Sequence, residues 1–193
     1  MRRAMSVAIH REEINKALFF GLGTESADTV LPESPLYRAE YANAWTQHDP
    51  DLANALLDEL GLAERGSGDI RRLPDGRQAG IVVESAGESS LETDVLELIR
   101  DHFRAVGLAL YIRSSQRDVF RSRALAGQVQ MSVWQGLDNG VPTANMSPQE
   151  LAPTSGDQLQ WPLWGSWYAA GGDAGEAPKM PEVLQLLRLL QKW

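Results

Sequence analysis

Apolar residues along the chain recur at two spacings, one typical of helices and one typical of strands. Near the amino terminus, Ala4, Val7 and Ile14 fall at helical spacing, which predicts a helix over residues 2–20. A polar interruption at His10 indicates a kink or a restart within it. The glycines that follow residue 20 are expected to end the helix.

The stretch from His48 to Leu62 carries both a start and a stop signal for a further helix. Asp49 suits the N-cap, and Pro50 suits the first turn because no N–H is needed there. Gly61 then ends the helix in a backbone conformation that most side chains resist. The leucines between these signals form one apolar face: Leu52, Leu56, Leu57 and Leu60.

Between residues 77 and 134, strand-type runs alternate with helical patterns. This order predicts an α/β fold with a small mixed sheet of about three or more strands flanked by helices. The predicted strands lie in RQAGIVVES (77–85), LALYIRS (108–114) and QVQMSVW (128–134), and the predicted helices in residues 89–106 and 116–127.

The regular pattern fails after Trp134, where glycine, proline, asparagine, serine and tryptophan are frequent. We expect residues 135–180 to be an irregular, loop-rich segment, because no period is sustained across them. Pro162 and Gly165 argue against a regular helix in its second half. The tryptophans in that half suit core packing or docking against another domain: Trp161, Trp164 and Trp167.

A final helix is predicted from Pro181, with Glu182 in its first turn. Its leucines cover more than one face. We therefore expect this helix to be buried against another part of the protein.

Composition and charge exclude several classes of protein. The chain has 193 residues, of which 43% are hydrophobic, so it can bury a core. Its net charge of −8 and pI near 4.9 argue against a nucleic-acid partner, since phosphate binding favours a basic surface. No run approaches the roughly 20 apolar residues of a transmembrane segment. Cysteine is absent, which excludes disulfides, thiolate nucleophiles and cysteine-bound metals.

The sequence lacks the common catalytic and metal-binding patterns. The histidines His10, His48 and His102 lie in different segments without ligand spacing, so surface or capping roles are expected and no metal site is predicted. No glycine-rich phosphate loop and no G-x-S-x-G motif occurs. The sequence therefore predicts neither an enzyme nor a bound cofactor.

One candidate binding site follows the last predicted strand. That strand ends in Trp134, and a glycine-flanked loop with Asp138 and Asn139 comes next. Ligands of open α/β sheets gather where strands end. A tryptophan face and a carboxylate can together bind an organic cation. The alternative is an Asx-turn in which Asp138 caps its own backbone while Trp134 fills the core.

Several segments, taken in order, resemble the family 5 extracellular solute-binding proteins of ABC importers, of the peptide- and nickel-binding type. The order and spacing of the segments make the resemblance stronger than any one motif. The segments are RRAMSVAIHREEINKALFFGLG, VLPESPLY, HDPDLANALLDELGL, LPDGRQAGIVVES and LELIRDHFRAVGLALYIR.

The resemblance implies a fold and a function. It implies that residues 1–193 form a single ligand-clamping α/β lobe, the second of a two-lobed protein whose first lobe lies elsewhere in the polypeptide. It further implies a periplasmic or extracytoplasmic protein that closes over a peptide or similar small solute and delivers it to ABC permease subunits. In peptide-binding members an aspartate after a strand-ending tryptophan receives the peptide amino terminus, and Trp134 and Asp138 are the matching positions.

Two other functions stay open at the level of sequence. One is a cytosolic regulator that uses a solute-binding lobe as a ligand sensor, and the other is a peptide hydrolase. Nothing in the spacing selects which arginine would meet a ligand carboxylate. The candidates are Arg113, Arg117, Arg121 and Arg123.

Overall fold

A computed structural model describes residues 1–134 and 147–192 of the chain. Helices lead into a region of alternating strands and helices, and two further helices follow. The helices are α1 (Arg2–Ala8), α2 (Arg11–Phe19), α3 (Ala39–Ala42), α4 (Pro50–Glu59), α5 (Ser90–Ala105), α6 (Arg117–Leu125), α7 (Pro162–Ala169) and α8 (Pro181–Leu190). The strands are β1 (Gly80–Ser85), β2 (Ala109–Ser114) and β3 (Met131–Ser132), and short 3-10 turns lie at Ser67–Asp69 and Pro148–Glu150.

The predicted α/β fold is confirmed. The three strands form one sheet in the order β2-β1-β3, and both pairings are parallel. Val83 of the central strand β1 lies opposite Ile112 on one side and Met131 on the other. Strand β3 is shorter than the sequence predicts, although the Val133 N–H still donates to the Glu84 carbonyl at 3.1 Å.

One face of the sheet carries the main apolar core. Helices α1, α4 and α5 contribute to it, and alanines at Ala4 and Ala53 allow α1 and α4 to approach closely. Phe103 of α5 and Val83 of β1 are fully buried there. Other buried members of this core are Val7, Leu57, Ile81, Leu96, Val106, Leu108 and Leu110.

Glu84, which follows Val83 on β1, points to the opposite face of the sheet, because side chains alternate along a strand. Glu84 there forms an ion pair with Arg123 of α6. Helices α5 and α6 therefore cover opposite faces of the sheet.

A buried arginine connects α4 to the end of α5. Arg71 is 1% exposed, and its guanidinium donates to the carbonyls of Val106 at 2.8 Å and Leu62 at 2.6 Å and to the Asp58 carboxylate at 2.5 Å. Gly107 lies against the Arg71 side chain, and a Cβ added at this glycine would be only 2.8 Å from it. Burial of this charge is tolerated because its donors are hydrogen-bonded.

The local signals around the first helices are confirmed. The predicted amino-terminal helix is broken between α1 and α2, with His10 as the N-cap of α2. The Asp49 carboxylate accepts the Leu52 N–H at 2.8 Å, and α4 ends before Gly61, whose φ is +79°. Helix α5 begins after Ser89, whose hydroxyl accepts the Glu92 N–H at 3.2 Å.

Two expectations about later elements need correction. A regular helix, α7, does form at the tryptophan series. Pro162 occupies its first turn, and Gly165 leaves room for a neighbouring segment, since an added Cβ would lie 1.8 Å from the Ser155 carbonyl oxygen. Helix α8 buries Leu187 but leaves Leu189 58% exposed.

Candidate functional site

The carboxyl ends of the parallel strands meet at one edge of the sheet, which we call the carboxyl edge. Apolar residues give way to polar ones here: β1 and β2 end in the paired Ser85 and Ser114, whose hydroxyl oxygens lie 3.2 Å apart. The Ser115 N–H donates to the Ser85 carbonyl at 3.1 Å and prolongs the pairing. Polar groups and backbone are therefore available where ligands of open α/β sheets gather.

A buried ion pair holds α6 against this end of the sheet. The Glu84 side chain is 3% exposed and accepts two hydrogen bonds from Arg123, from Nε at 3.0 Å and from Nη2 at 2.9 Å. Arg113 approaches the same carboxylate at 3.5 Å. The hydrogen bonds from Arg123 lower the pKa of Glu84 and outweigh the raising effect of its burial. Glu84 is therefore held in its charged form, and the bidentate pair fixes the position of α6.

Trp134 lies against α6 at the carboxyl edge. Its ring is 5.9 Å from the Phe120 ring, centroid to centroid. The guanidinium carbons of Arg117 and Arg121 lie 5.6 Å and 5.5 Å from the Trp134 ring centroid, within cation–π range. The side chain remains 38% exposed, so it is neither a core residue nor a free one. It is a half-exposed aromatic wall already flanked by cations.

Arg117 is shared between Trp134 and a carboxylate from the loop after β1. Its Nε donates to Glu88 Oε1 at 2.9 Å, and its Nη2 donates to Oε2. This hydrogen bonding lowers the pKa of Glu88 and raises the pKa of Arg117. Both side chains are about half exposed, so the pair is readily displaced by a competing anion.

A cavity of about 460 Å³ opens beside this ion pair. It faces the start of α6, whose N-cap Gln116 makes no side-chain capping hydrogen bond. The uncapped amides at the start of a helix favour a negatively charged group. The Ser115 hydroxyl is buried, with no hydrogen-bond partner in the described parts of the chain. The cavity is lined by Ala86, Gly87, Glu88, Ser114, Ser115, Gln116 and Arg117.

The arrangement suits binding of a polar organic group. A guanidinium, uncapped helix amides and a hydroxyl can together hold a carboxylate or another oxygen-rich group, with an aromatic wall alongside. Of the predicted site residues, Trp134 lies at the carboxyl edge, whereas Asp138 and Asn139 lie outside the described residues.

The structure also distinguishes among the candidate arginines. Arg113 and Arg123 pair with Glu84, Arg117 pairs with Glu88, and Arg121 stacks on Trp134.

Two residues of this region were missed by the sequence reasoning. Glu88 stands among ordinary charged residues, and Ser115 is one serine among many. The available signal was positional. Ser115 directly follows the strand predicted over residues 108–114, and Glu88 comes three residues after the one predicted over residues 77–85. Strand ends of a parallel sheet meet at one edge.

Residues 1–134 and 147–192 contain neither a metal-site arrangement nor a membrane-spanning helix. No group of histidine, aspartate or glutamate side chains there has the arrangement of a metal site. No helix there has both the length and the apolar character that crossing a membrane requires.

The sequence matches one known family over most of its length. The pattern of the bacterial extracellular solute-binding proteins, family 5 (middle region), covers residues 1–157. No curated protein matches the chain.

Solved structures show the same fold. The oligopeptide-binding protein OppA is 31% identical, with a TM-score of 0.85 over 99% of this chain and 32% of its own. An oligopeptide-binding protein from Thermus thermophilus, complexed with a pentapeptide, is 26% identical, with a TM-score of 0.55 over 67% of this chain and 22% of its own. NikA from Brucella suis, in complex with Fe(III)-EDTA, is 22% identical, with a TM-score of 0.69 over 99% of this chain and 34% of its own, and shows the fold alone. The chain thus spans between 22% and 34% of the length of these structures.

Proposed function

The chain belongs to the bacterial extracellular solute-binding proteins of family 5, and from this membership we propose that it is the ligand-clamping part of the capture component of an ABC importer. Its solute is a peptide or a similar small molecule, which the closed protein hands to the permease subunits. The likeness to OppA, at 31% identity over 99% of this chain, supports a peptide in preference to other solutes.

The proposal includes a second lobe. Residues 1–193 form one α/β lobe, and a first lobe of the same protein closes against the carboxyl edge in the extracytoplasmic space. The share of OppA that the chain covers, 32%, leaves room for such a lobe. Closure excludes water from the bound solute and changes the surface that a permease contacts.

The observation that carries the proposal is the composition of the carboxyl edge. The Arg117–Glu88 pair and Ser115, whose buried hydroxyl has no partner among the described residues, line one cavity, and the half-exposed Trp134 lies beside Arg117. Such groups recognise the termini and backbone of a peptide while placing few demands on its side chains. Loose side-chain specificity is what an importer of varied peptides requires.

We assign the two ends of the solute to two groups of residues. Trp134, with Asp138 and Asn139, receives the amino end, because a carboxylate and an aromatic face suit an ammonium group. Arg117 and Ser115 receive an oxygen-rich group, with Glu88 as the internal carboxylate that the solute displaces. The mechanism is capture without bond making or breaking, so the protein is not an enzyme.

The test is a titration of the ¹⁵N-labelled chain with trialanine, followed by NMR. We expect shifts at the Trp134 indole and at the amides of residues 86–88, 114–117 and 138–139. Affinity should be weak, about millimolar, because a single lobe supplies only part of the contacts. The peptide should stay intact throughout, whereas hydrolysis would establish an enzyme instead.

The matched variants are Arg117→Gln and Arg100→Gln. Arg100 pairs with Glu97 on α5 and is exposed to a similar degree, but it lies away from the carboxyl edge. Arg117→Gln should abolish the shifts around residue 117, and Arg100→Gln should leave them unchanged. Equal effects of the two variants, or shifts spread over the α5 side of the sheet, would contradict the assignment.

A further inference from the structure

Tertiary structure brings the chain's three histidines into one cluster. His10 lies between α1 and α2, His48 precedes α4, and His102 lies in the last turn of α5. Their ring centroids are 4.3 Å apart for His10 and His48, 6.1 Å for His10 and His102, and 6.2 Å for His48 and His102. Segments separated by up to 92 residues in the sequence therefore meet through titratable rings.

A single carboxylate oxygen joins two of these rings. Glu13 Oε2 lies 2.9 Å from His102 Nε2 and 3.3 Å from His10 Nδ1. The backbone N–H of His10 donates to His102 Nδ1 at 3.4 Å. His102 Nδ1 is thus an acceptor, so the neutral ring carries its proton on Nε2 and donates it to Glu13. Protonation at Nδ1 removes the acceptor and with it the hydrogen bond from His10.

The cluster joins α2 to α5 through a polar contact. Helix α2 buries only Ile14 among its described side chains, so polar contacts contribute much of its docking: Glu13 contacts His102 of α5, and Arg11 donates to the carbonyls of Ser6 and Thr46. The start of α4 is fixed to α1 by the Asp49 N–H, which donates to the Val7 carbonyl at 2.8 Å. Loss of the His102 contacts would therefore loosen α2 before it disturbs the sheet.

The surrounding charges do not compensate a fully protonated cluster. Glu13 carries one negative charge and can offset one imidazolium, but a second and a third would face each other within 4.3–6.2 Å. The Asp49 carboxylate is engaged as the cap of α4. The charged and titratable groups around the rings are Arg11, Glu12 and Glu13 on α2, His48, Asp49 and Asp51 at the start of α4, and Asp101, His102 and Arg104 on α5, while α1 offers the Ala8 carbonyl.

We propose that His10, His48, His102 and Glu13 form a pH-sensitive latch, which holds α2 against α5 while the rings are largely neutral and releases it in mildly acidic solution. This histidine latch is distinct from the proposed ligand site, since α5 ends at the opposite edge of the sheet, where β2 begins. It gives an extracytoplasmic protein a means to respond to external pH.

The environment of His48 supports release at acidic pH. Burial lowers the pKa of His48 first, and the neighbouring His10 and His102 lower it further. A histidine whose pKa is depressed on folding stabilises the fold above the ordinary value of 6.5, and that stability is lost as the pH falls below it. Hydrogen bonds from His102 and His10 lower the pKa of Glu13, so Glu13 stays charged throughout this range.

The experiment is amide hydrogen exchange of the full chain at pH 7 and pH 5, expressed as protection factors. Protection of α2 should be lower at pH 5 than at pH 7. Protection of β1 should stay constant, since its core contains no titratable ring. His48→Gln should keep most of the α2 protection at pH 5, because one positive charge is removed from the cluster.

The control variant is Lys16→Gln, which removes an exposed pair with Glu12 on the same helix and should behave as wild type. Glu13→Gln provides a second test, since loss of the offsetting charge should move release to higher pH. Constant α2 protection from pH 7 to pH 5 would overturn the latch. Parallel loss in α2 and β1, or identical behaviour of His48→Gln and Lys16→Gln, would overturn it as well.

Discussion

The two faces of the sheet are held by different forces. On the α5 face, Val83 packs against apolar side chains such as Phe103, and both are fully buried. On the α6 face, the next residue of the same strand is a carboxylate, Glu84, held by Arg123 and approached by Arg113. One face therefore resembles the core of any small domain, whereas the other is fixed by directional ion pairing.

This difference gives the two faces different roles: the α5 face mainly stabilises the fold, and the α6 face mainly positions side chains. Apolar burial is non-directional and roughly proportional to area, so the α5 face supplies most of the stabilisation. A bidentate arginine–carboxylate pair adds little net stability but fixes geometry. Helix α6 carries Arg117 and Arg121 towards Trp134, and these are the groups that need a fixed geometry at the carboxyl edge.

The largest effect is expected on the α5 face. Phe103→Ala should lower the free energy of unfolding by about 3–5 kcal/mol, because a buried ring is lost and a cavity remains. Urea denaturation measures this change. Leu91→Ala on the same helix is the control, since Leu91 is exposed and its loss should cost under about 0.5 kcal/mol. Equal losses for the two variants would mean that α5 does not pack as described.

A smaller effect is expected on the α6 face. Glu84→Gln should lower the free energy of unfolding by about 2 kcal/mol, because the buried position loses its charge-assisted bonds to Arg123. Glu97→Gln removes an exposed carboxylate paired with Arg100 and should change stability little. A loss as large as that of Phe103→Ala would refute the contrast between the two faces, as would no loss at all.

The smallest and most specific effect is in the pH dependence. The pKa of Glu84 is lowered, so its stabilising contribution is complete above the ordinary value of 4.5 and is lost as the pH falls through the lowered value. The stability difference between wild type and Glu84→Gln should therefore close in acid, whereas that of Phe103→Ala should persist. Denaturation series between about pH 3 and pH 7 measure both differences. A Glu84→Gln difference that stays constant to pH 3 would show that charge is not its cause.

Local signals predicted the helices and strands well where one residue decides the outcome. Asp49 and Ser89 mark helix starts through capping hydrogen bonds, and Gly61 marks a helix end through its positive φ. These effects act within a few residues, so they can be predicted from the sequence. The α7 helix was mispredicted for the opposite reason. Gly165 lowers the local helix propensity, but the Ser155 carbonyl lies so close to it that no side chain would fit. This contact lies outside the helix, so local sequence rules do not predict it.

The candidate site was predictable only in part. An α/β pattern makes strand ends candidate ligand sites, and for this reason the sequence pointed to Trp134 as a candidate. Which arginine faces which carboxylate was not predictable, because Arg117 and Glu88 are brought together by the sheet register and by the placement of α6.

The sequence by itself determined the α/β class, the alternation of strands and helices between residues 77 and 134, and the family, because these depend on periodicity, caps and motif spacing. Only the tertiary structure decided the partners of the charged and titratable groups. Arg71 inside the core, Glu84 under α6 and the histidine latch each join residues far apart in the chain. Charge interactions depend on distance in space and on burial, and sequence separation fixes neither.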